Sequence, residues 1–248
     1  MQTRRIFLIM AAITLLLQVQ AKAQTVNDTT RLFAEMKRLQ SVYQAHELSF
    51  DIKYTYTSEH QPELVLDSLQ GKMELSGKRY HYWMTNMETV VNERYNITLF
   101  QQEKMIYLTK PADFVTGDPV AQLRDMLERA GVKQCSVAEQ GDLKTLRIYF
   151  QPGGACRQME MLIDKSSGYI TATRYIVKTA LLMDPGVSAT DAGYGEYAVI
   201  QTSFDHYKQI KIDSRTFSED QFFRKEGNEF KTTPAYNEYK IFTGSPNL

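Results

Sequence analysis

The side chains that could do acid–base or metal chemistry are scattered along the chain without the spacing that such chemistry requires. The four histidines are His46, His60, His81 and His206. Asp205 stands beside His206 and could orient it as a base, but neighbours in a strand point to opposite faces, so we expect this pair to be structural. The sequence contains no G-x-S-x-G, H-E-x-x-H, phosphate-binding or EF-hand pattern. We therefore expect a protein that is not an enzyme and that has no metal site and no cofactor.

The two cysteines, Cys135 and Cys156, are the remaining reactive side chains. Residues Val132 to Glu139 and Leu143 to Phe150 alternate as a hairpin, and Cys156 opens the strand that follows. Both sulfurs would then lie at the same end of a three-stranded meander, where an oxidising compartment would let them form a disulfide. The middle strand could equally keep them apart, so both states stay open. The absence of a C-x-x-C motif argues against redox catalysis.

The first 23 residues are typical of a signal peptide. Arg4 and Arg5 precede an apolar run from Ile6 to Leu17, and Ala23 stands where signal peptidase would cut. The run is about a dozen residues long, whereas a membrane span needs about 20. Because the Arg-Arg pair also matches a twin-arginine signal, both export routes stay open. We expect an exported protein, periplasmic if the source has two membranes, with a mature chain of residues 24–248.

The charge balance excludes one class of partner. The whole chain has 29 basic and 29 acidic side chains, and removal of the signal peptide leaves 26 against 29, a net charge of −3. A nucleic-acid-binding protein would need a basic excess, so we expect no nucleic-acid partner. The mature length suits one large β domain, and no shift in composition marks a boundary within residues 24–248.

Two amphipathic helices are predicted. The first runs from Thr29 to Ala45 with Asp28 or Thr29 as its cap, and the second runs from Pro119 to Ala130 and ends before Gly131. Each carries apolar side chains at helical spacing, so each must cover another surface. These side chains are Leu32, Met36, Leu39 and Tyr43 in the first helix, and Val120, Leu123, Met126, Leu127 and Ala130 in the second.

The rest of the chain alternates with period two between turn signals, which predicts about a dozen consecutive strands. A run of strands broken by one helix excludes a parallel βαβ fold. It favours a mainly β (α+β) protein, built as a strongly curved antiparallel sheet or half-open barrel covered by a few helices. The later strands are predicted at Arg157 to Asp164, Tyr169 to Thr179, Glu196 to Tyr207, Gln209 to Phe217, Gln221 to Lys225, Glu229 to Thr232 and Tyr236 to Phe242.

Large apolar side chains are unusually abundant, with 15 Tyr, 12 Phe and 11 Met. They occupy both faces of one predicted strand, where Tyr80, Tyr82 and Met84 alternate with His81 and Trp83. Aromatic and methionine side chains can form a pliable apolar lining. The inventory fits either a sheet curled around an apolar cavity or a filled core with additional exposed tyrosines.

Three segments carry a family resemblance. Gly71 to Trp83 combines a glycine, an alternating strand, a basic turn and an aromatic strand ending in tryptophan. Asp164 to Ile170 forms a D-x-x-x-G hairpin, and Phe204 to Ile210 resembles an F-x-D-Y-x-x-V strand. With the order of helices and strands, these resemble the periplasmic lipoprotein carriers (LolA-like), whose relatives include mycobacterial LppX and the N-terminal domain of RseB. The carriers' Arg-Pro pair falls at Gly77-Lys78, so Arg79 inherits no gating role.

The resemblance implies a function without covalent chemistry. An apolar cavity would bind acyl chains of lipids or lipoproteins, as in outer-membrane lipoprotein sorting, with envelope membrane proteins as further partners of a monomer. The alternative is a regulatory or accessory interaction module on the same fold. The resemblance turns Trp83 inward, whereas alternation favours Tyr80 and Tyr82. The expected lining residues are Phe50, Ile52, Tyr54, Met73, Leu75, Trp83, Ile97 and Leu99, and the expected lid residues are Leu32, Met36, Leu39, Leu123, Met126 and Leu127.

Overall fold

The computed structural model describes residues 28–111, 129, 131–183, 195–245 and 248. The predicted signal peptide and nearly all of the predicted second helix lie outside these residues. Within them, no helix is long and apolar enough to cross a membrane.

Strands dominate the described part of the chain, with one α-helix at its start. The first six strands follow that helix, and a second run of strands begins after residue 131. The bounds are α1 Thr29–Gln44, β1 Glu47–Ser58, β2 Gln61–Ser76, β3 Arg79–Met84, β4 Met87–Val91, β5 Asn96–Phe100, β6 Met105–Thr109, β7 Val132–Gln140, β8 Leu143–Phe150, β9 Cys156–Asp164, β10 Ile170–Lys178, β11 Tyr197–Gln209, β12 Phe223–Glu226, β13 Glu229–Thr232 and β14 Lys240–Thr243.

A single 12-stranded open sheet has the order β14-β6-β5-β4-β3-β2-β1-β11-β10-β9-β8-β7, and β12 and β13 form a separate hairpin. All pairs in the large sheet are antiparallel except β14, which runs parallel to β6. The predicted fold class, a mainly β protein with a curved sheet and a helical cover, is confirmed. The parallel edge pair was not predicted, because it depends on a crossover that strand periodicity does not report.

The strand register defines two faces of the sheet. Phe50 pairs with Met73, which pairs with Tyr82, so these side chains share one face. Lys72 pairs with Trp83, and because successive residues alternate between faces, this pair lies on the other side. We call the side of Phe50 the helix face and the side of Trp83 the opposite face.

Helix α1 packs on the helix face of the β7–β9 meander. Its start is fixed by Asp28, whose carboxylate accepts a hydrogen bond from the Arg31 backbone N–H at 3.0 Å. Leu32 and Leu39 are buried. The helix ends one residue before the predicted end, so the prediction is confirmed. The buried side chains that form this core with the helix are Cys135, Val137, Leu146, Ile148, Phe150, Met161 and Ile163.

A second core lies on the opposite face, where the C-terminal segment covers strands β4 to β6. The prediction of a strand from Gln209 to Phe217 is wrong, because Ser214–Phe217 forms a 3-10 turn. Asp213 caps this turn by accepting from the Arg215 N–H at 2.9 Å, a local bond that competes with strand pairing. The turn places Phe217 in a buried cluster with Val90, Tyr95, Ile97, Leu99, Ile106, Leu108, Ile212, Phe222 and Phe223.

The predicted hairpin after β9 is confirmed, and it brings the sheet against the end of α1. Asp164 Oδ1 accepts from the Ser166 hydroxyl at 2.6 Å and from the Ser167 N–H at 2.7 Å, and these bonds lower the pKa of Asp164 to about 2. Gly168 has a φ of +75°, and a Cβ there would lie 3.1 Å from Val42 Cγ2. Only glycine fits both the left-handed backbone and this close approach.

Candidate functional site

The eight predicted lining residues do not come together on one surface. Five share the helix face: Phe50, Ile52, Tyr54, Met73 and Leu75. The inward placement of Trp83 is wrong because its register puts it on the opposite face, and Ile97 and Leu99 lie there too. Ile97 and Leu99 are buried beneath the C-terminal segment, as members of its core. Tyr80 and Tyr82, which strand alternation favoured, lie on the helix face with Leu75 and Met73.

The helix-face cluster joins the buried part of β1 to half-buried aromatic and methionine side chains. Phe50 and Ile52 are buried, while Tyr54, Met73 and Met84 keep part of their surface exposed. Burial is the main cause that raises the pKa of Tyr82, whose hydroxyl also interacts with Tyr54. Burial therefore keeps the Tyr82 phenol neutral, and the face is apolar with a few hydrogen-bonding groups.

At the end of α1, three hydrogen bonds join the Tyr43 hydroxyl, the Tyr207 hydroxyl and the Ile170 backbone into a triangle on the helix face. The hydroxyls of Tyr43 and Tyr207 are 2.8 Å apart, and Tyr207 donates to the Ile170 carbonyl at 2.8 Å. The Ile170 N–H in turn donates to the Tyr43 hydroxyl at 3.1 Å. Burial raises the pKa of both tyrosines. The triangle ties the last turn of α1 to the start of β10 and to β11.

Helix α1 is also tied to the sheet nearer its start. Lys144 Nζ lies 2.6 Å from Glu35 Oε1, and Arg31 lies 3.3 Å from Glu139. Of the predicted lid residues, Leu32 and Leu39 are buried and Met36 packs against the same core. The other three, Leu123, Met126 and Leu127, lie outside the described residues. Opening α1 as a lid would have to break every one of these ties.

Neither cysteine forms a disulfide; Cys135 is buried and Cys156 is half-buried. Cys135 pairs with Ile148 of β8, which pairs with Met159 of β9, so β8 separates the strands that carry the cysteines. Two strand spacings are about 10 Å, beyond the roughly 7 Å that a disulfide spans between Cα atoms. Burial raises the pKa of both thiols. The meander is as predicted, and the middle strand keeps its cysteines apart.

The Asp205-His206 dipeptide does not form an oriented base. His206 Nδ1 instead lies 2.9 Å from Asp51 Oδ2 on the neighbouring strand. His206 has a φ of 55° where the pairing of β1 with β11 shifts register. Both side chains of the pair are exposed. Across the described residues, no group of three or more His, Cys, Asp or Glu side chains could hold a metal ion.

Two adjoining hollows on the opposite face form what we call the Trp83 groove. Their volumes are about 510 and 520 Å³, and Lys72 and Trp83 line both. Each is within the size range of sites that bind small molecules, about 300–1,000 Å³. The residues that line the groove with Lys72 and Trp83 are Asp51, Ile52, Lys53, Gln70, Gly71, Glu74, His81, Met84, Thr85, Met87, Gln101, Asp205, His206, Thr216 and Gln221.

Trp83 sits at the centre of this groove on a histidine–glutamate pair. The rings of His81 and Trp83 are 3.6 Å apart between centroids, and Lys72 Nζ lies 5.7 Å from the Trp83 ring. His81 is buried, and its Nε2 lies 2.6 Å from Glu88 Oε1. Its Nδ1 has no hydrogen-bond partner among the described residues. The sequence analysis did not predict this site, although Lys72, Glu74 and Trp83 occupy alternate positions of β2 and β3 that point to the same face of the sheet.

We expect the substitution Gly71→Ala to destabilise the protein and disturb Trp83. A Cβ on Gly71 would lie 2.2 Å from the Trp83 carbonyl oxygen, so two central strands would have to separate. Overpacking of this kind typically costs about 1–3 kcal/mol. Urea unfolding followed by tryptophan fluorescence measures both effects, because Trp83 is the only tryptophan.

Gly154 provides a matched control for this substitution. A Cβ there would lie 3.4 Å from the Gln151 carbonyl oxygen, an ordinary contact, and the φ of Gly154 is not positive. Gly154→Ala should therefore leave the stability unchanged or raise it slightly, by about 0.4–1 kcal/mol. Equal stability of the Gly71 and Gly154 variants would contradict the close approach of β2 to β3.

Comparison with known proteins returns solved structures at low sequence identity. The chain is similar to an uncharacterized conserved protein from Thermus thermophilus, with 8% identity, a TM-score of 0.46 and coverage of 85% of this chain and 97% of that one. It is similar to a LolA superfamily protein from Nitrosomonas europaea, with 9% identity, a TM-score of 0.37 and coverage of 75% and 97%. It is also similar to the lipoprotein LppX from Mycobacterium tuberculosis, with 12% identity, a TM-score of 0.36 and coverage of 75% of this chain and 100% of that one.

No family model and no curated protein matches the chain. The solved structures nevertheless include proteins titled LolA superfamily and LppX, the names that the sequence resemblance had suggested. All three TM-scores are below 0.5, too low to assign a function. A function must therefore be inferred from the chain's own side chains.

Proposed function

We propose that the helix face binds an acyl chain of a lipid or lipoprotein, and that the protein is an exported binding or carrier protein. The observation that supports this is the apolar row on β1 and β2. It starts at buried Leu48 and Phe50 and continues through half-buried Tyr54 and Leu69. A row of large apolar side chains that is only half covered is a candidate surface for an apolar ligand.

The energetics of such binding come from the hydrophobic effect. Transfer of an acyl chain out of water contributes about 0.8 kcal/mol per methylene, so a 16-carbon chain gains on the order of 10 kcal/mol before ordering is counted. Methionine and tyrosine side chains adapt to a flexible chain without a fixed pocket shape. The hydroxyl groups of Tyr54 and Tyr82 would offer hydrogen bonds to an ester or carboxyl group.

The remaining parts of the proposal follow from the sequence. Residues 1–23 would direct export, residues 24–248 would form one domain, and α1 with the segment Pro119 to Ala130 would cover the ligand. Partners would be acyl chains and envelope membrane proteins. An interaction module without a lipid is the alternative, and it would bind a protein partner while leaving the helix face empty.

We expect Leu69→Lys to weaken the binding of a fluorescently labelled 16-carbon fatty acid at least tenfold. The substitution removes an apolar side chain worth roughly 1.5–3 kcal/mol when buried and puts a charge on the ligand surface. Leu69 pairs with Tyr54 on the helix face, and it is half-buried, so folding should tolerate the change. The measurement is a fluorescence titration with displacement by unlabelled fatty acid.

Ser68→Lys is the matched control, because Ser68 is the preceding residue of the same strand, exposed and on the opposite face. It adds the same charge at the same distance along β2 and should leave the affinity unchanged. Equal binding by both variants, or no saturable binding by the parent protein, would refute the proposal. Native mass spectrometry of protein purified without detergent tests the same point through co-purified lipid.

A further inference from the structure

The lining of the Trp83 groove combines apolar residues, namely Trp83, Ile52, Met84 and Met87, with charged side chains of both signs. Lys72 Nζ lies 3.2 Å from Glu74 Oε1, and His206 pairs with Asp51 at 2.9 Å. Asp205 and Lys53 are the other charged residues among those that line its two hollows. Because both signs of charge are present, the groove has little electrostatic preference for a strongly charged ligand. An acyl chain laid over these charged side chains would remove part of their hydration, which is unfavourable.

A single aromatic side chain lies where the two hollows meet. Trp83 is half-buried and is the only tryptophan in the chain. An aromatic ring has a negative face, which attracts the weakly positive C–H hydrogens on the flat side of a sugar ring. Around it, Gln221, Thr216 and Glu74 supply amide, hydroxyl and carboxylate groups that can bond with ligand hydroxyls.

The position of the groove argues against an extended peptide as its ligand. Peptides commonly bind to sheets by adding a strand to an exposed edge. Both β2 and β3 are inner strands, with β1 and β4 hydrogen-bonded on their outer sides. Their backbone groups are therefore already used, and a ligand in the groove can be recognised only through side chains.

We propose that the Trp83 groove binds a neutral oligosaccharide, with one sugar ring lying against Trp83. The two hollows extend from this ring in two directions along the opposite face, so neighbouring sugar units would contact the Gln70–Asp51 side and the Glu74–Gln221 side. The ring of buried His81, which is paired with half-buried Glu88, packs against the tryptophan ring. Most of this site lies across the sheet from the helix face, and the two share only Ile52, Met84 and Met87 at the border of the first hollow.

The emission of the sole tryptophan provides a direct assay. The full mature chain is titrated with oligosaccharides built from glucose, galactose, mannose, rhamnose and N-acetylglucosamine units. At least one of them should give a saturable change in emission, confirmed by calorimetry. Trp83→Ala should then lower the affinity at least tenfold in calorimetry, and Trp83→Tyr should restore most of it by keeping an aromatic face.

Phe242→Ala is the control, because Phe242 is also an exposed aromatic side chain of the large sheet but lies on edge strand β14, outside the groove. It should leave saccharide affinity unchanged. The proposal is overturned if no saccharide in the panel gives saturable heat, if Trp83→Ala binds as well as the parent, or if only polyanions bind. Circular dichroism of each variant confirms folding, and unchanged fatty-acid binding by Trp83→Ala separates this result from the proposed function.

Discussion

Replacing Glu35 with alanine is expected to lower the free energy of unfolding by about 3 kcal/mol, because the substitution leaves the buried ammonium group of Lys144 without its main carboxylate partner. Lys144 is only 5% exposed, and its Nζ lies 2.6 Å from Glu35 Oε1. Glu139 is the other carboxylate within reach, at 3.9 Å. Without Glu35, the Lys144 ammonium group must either remain buried with only the distant Glu139 as its partner, or reach water through a separation of α1 from β8.

The measurement is thermal or urea unfolding of the mature chain. For a domain of this size, a loss of 3 kcal/mol corresponds to a fall in Tm of roughly 6–12 °C. The control is Lys144→Met, which removes the charge and keeps the length of the side chain, and it should be close to neutral because Glu35 can rehydrate. The double variant should recover most of the stability. If Glu35→Ala and Lys144→Met destabilised the protein equally, an unpaired buried charge could not be the cause.

Local signals in the sequence predict most of the described secondary structure. Asp28 marks the start of α1, and alternating side chains mark the strands, as at Leu143–Phe150, whose predicted bounds are those found. These signals depend on residues close together in the chain. The failure at Gln209 to Phe217 has a long-range cause beside the local cap at Asp213, since Ile212 and Phe217 pack on strands that are distant in sequence.

The assignment of lining residues failed where both faces of the sheet are apolar. Ile97 and Leu99 were predicted as lining residues because they are large and alternate along the strand, but they pack under the C-terminal segment. The sequence carries no direct sign of which segment covers which face. The pairing register of the strands shows which side chains share a face: Met73 lies opposite Tyr82, and Lys72 lies opposite Trp83 on the other side of the sheet.

The Trp83 groove could have been predicted from the alternate residues of β2 that point to the opposite face. Lys72 and Glu74 alternate with Gly71, Met73 and Leu75, which indicates a polar face and an apolar face on the same strand. Trp83 then falls on the polar side by pairing with Lys72. The contributions of Thr216 and Gln221 come from a C-terminal segment remote in sequence, so spacing alone could not have revealed them.

Asn92→Ala is the second substitution for which we expect a large effect, about 2–4 kcal/mol of lost stability, because several buried groups lose their partner at once. The Asn92 amide donates to the Phe217 carbonyl at 3.0 Å and to Glu219 Oε2 at 2.8 Å. Its oxygen accepts from the backbone N–H groups of Arg94 and Tyr95, each at 2.9 Å. The side chain thus ties the β4–β5 turn to the C-terminal segment.

Hydrogen exchange and limited proteolysis would show where this loss occurs. Exchange should rise first around Phe217 and Phe222, because the segment that carries them loses its anchor on the turn. Glu219 is 7% exposed and keeps Arg94 as an ionic partner, which limits but does not remove the penalty. Uniform acceleration of exchange over the whole sheet would contradict a local anchoring role.

Asn96→Ala is the matched control, four residues further along the same hairpin. The Asn96 side-chain oxygen is buried and lacks a hydrogen-bond partner among the described residues. Removing an unpaired buried polar group relieves its desolvation penalty, so this alanine should be neutral or slightly stabilising. Opposite signs at Asn92 and Asn96 would show that the hydrogen bonds, and not the asparagine side chain as such, hold the C-terminal segment on the opposite face. Equal losses at both positions would refute that explanation.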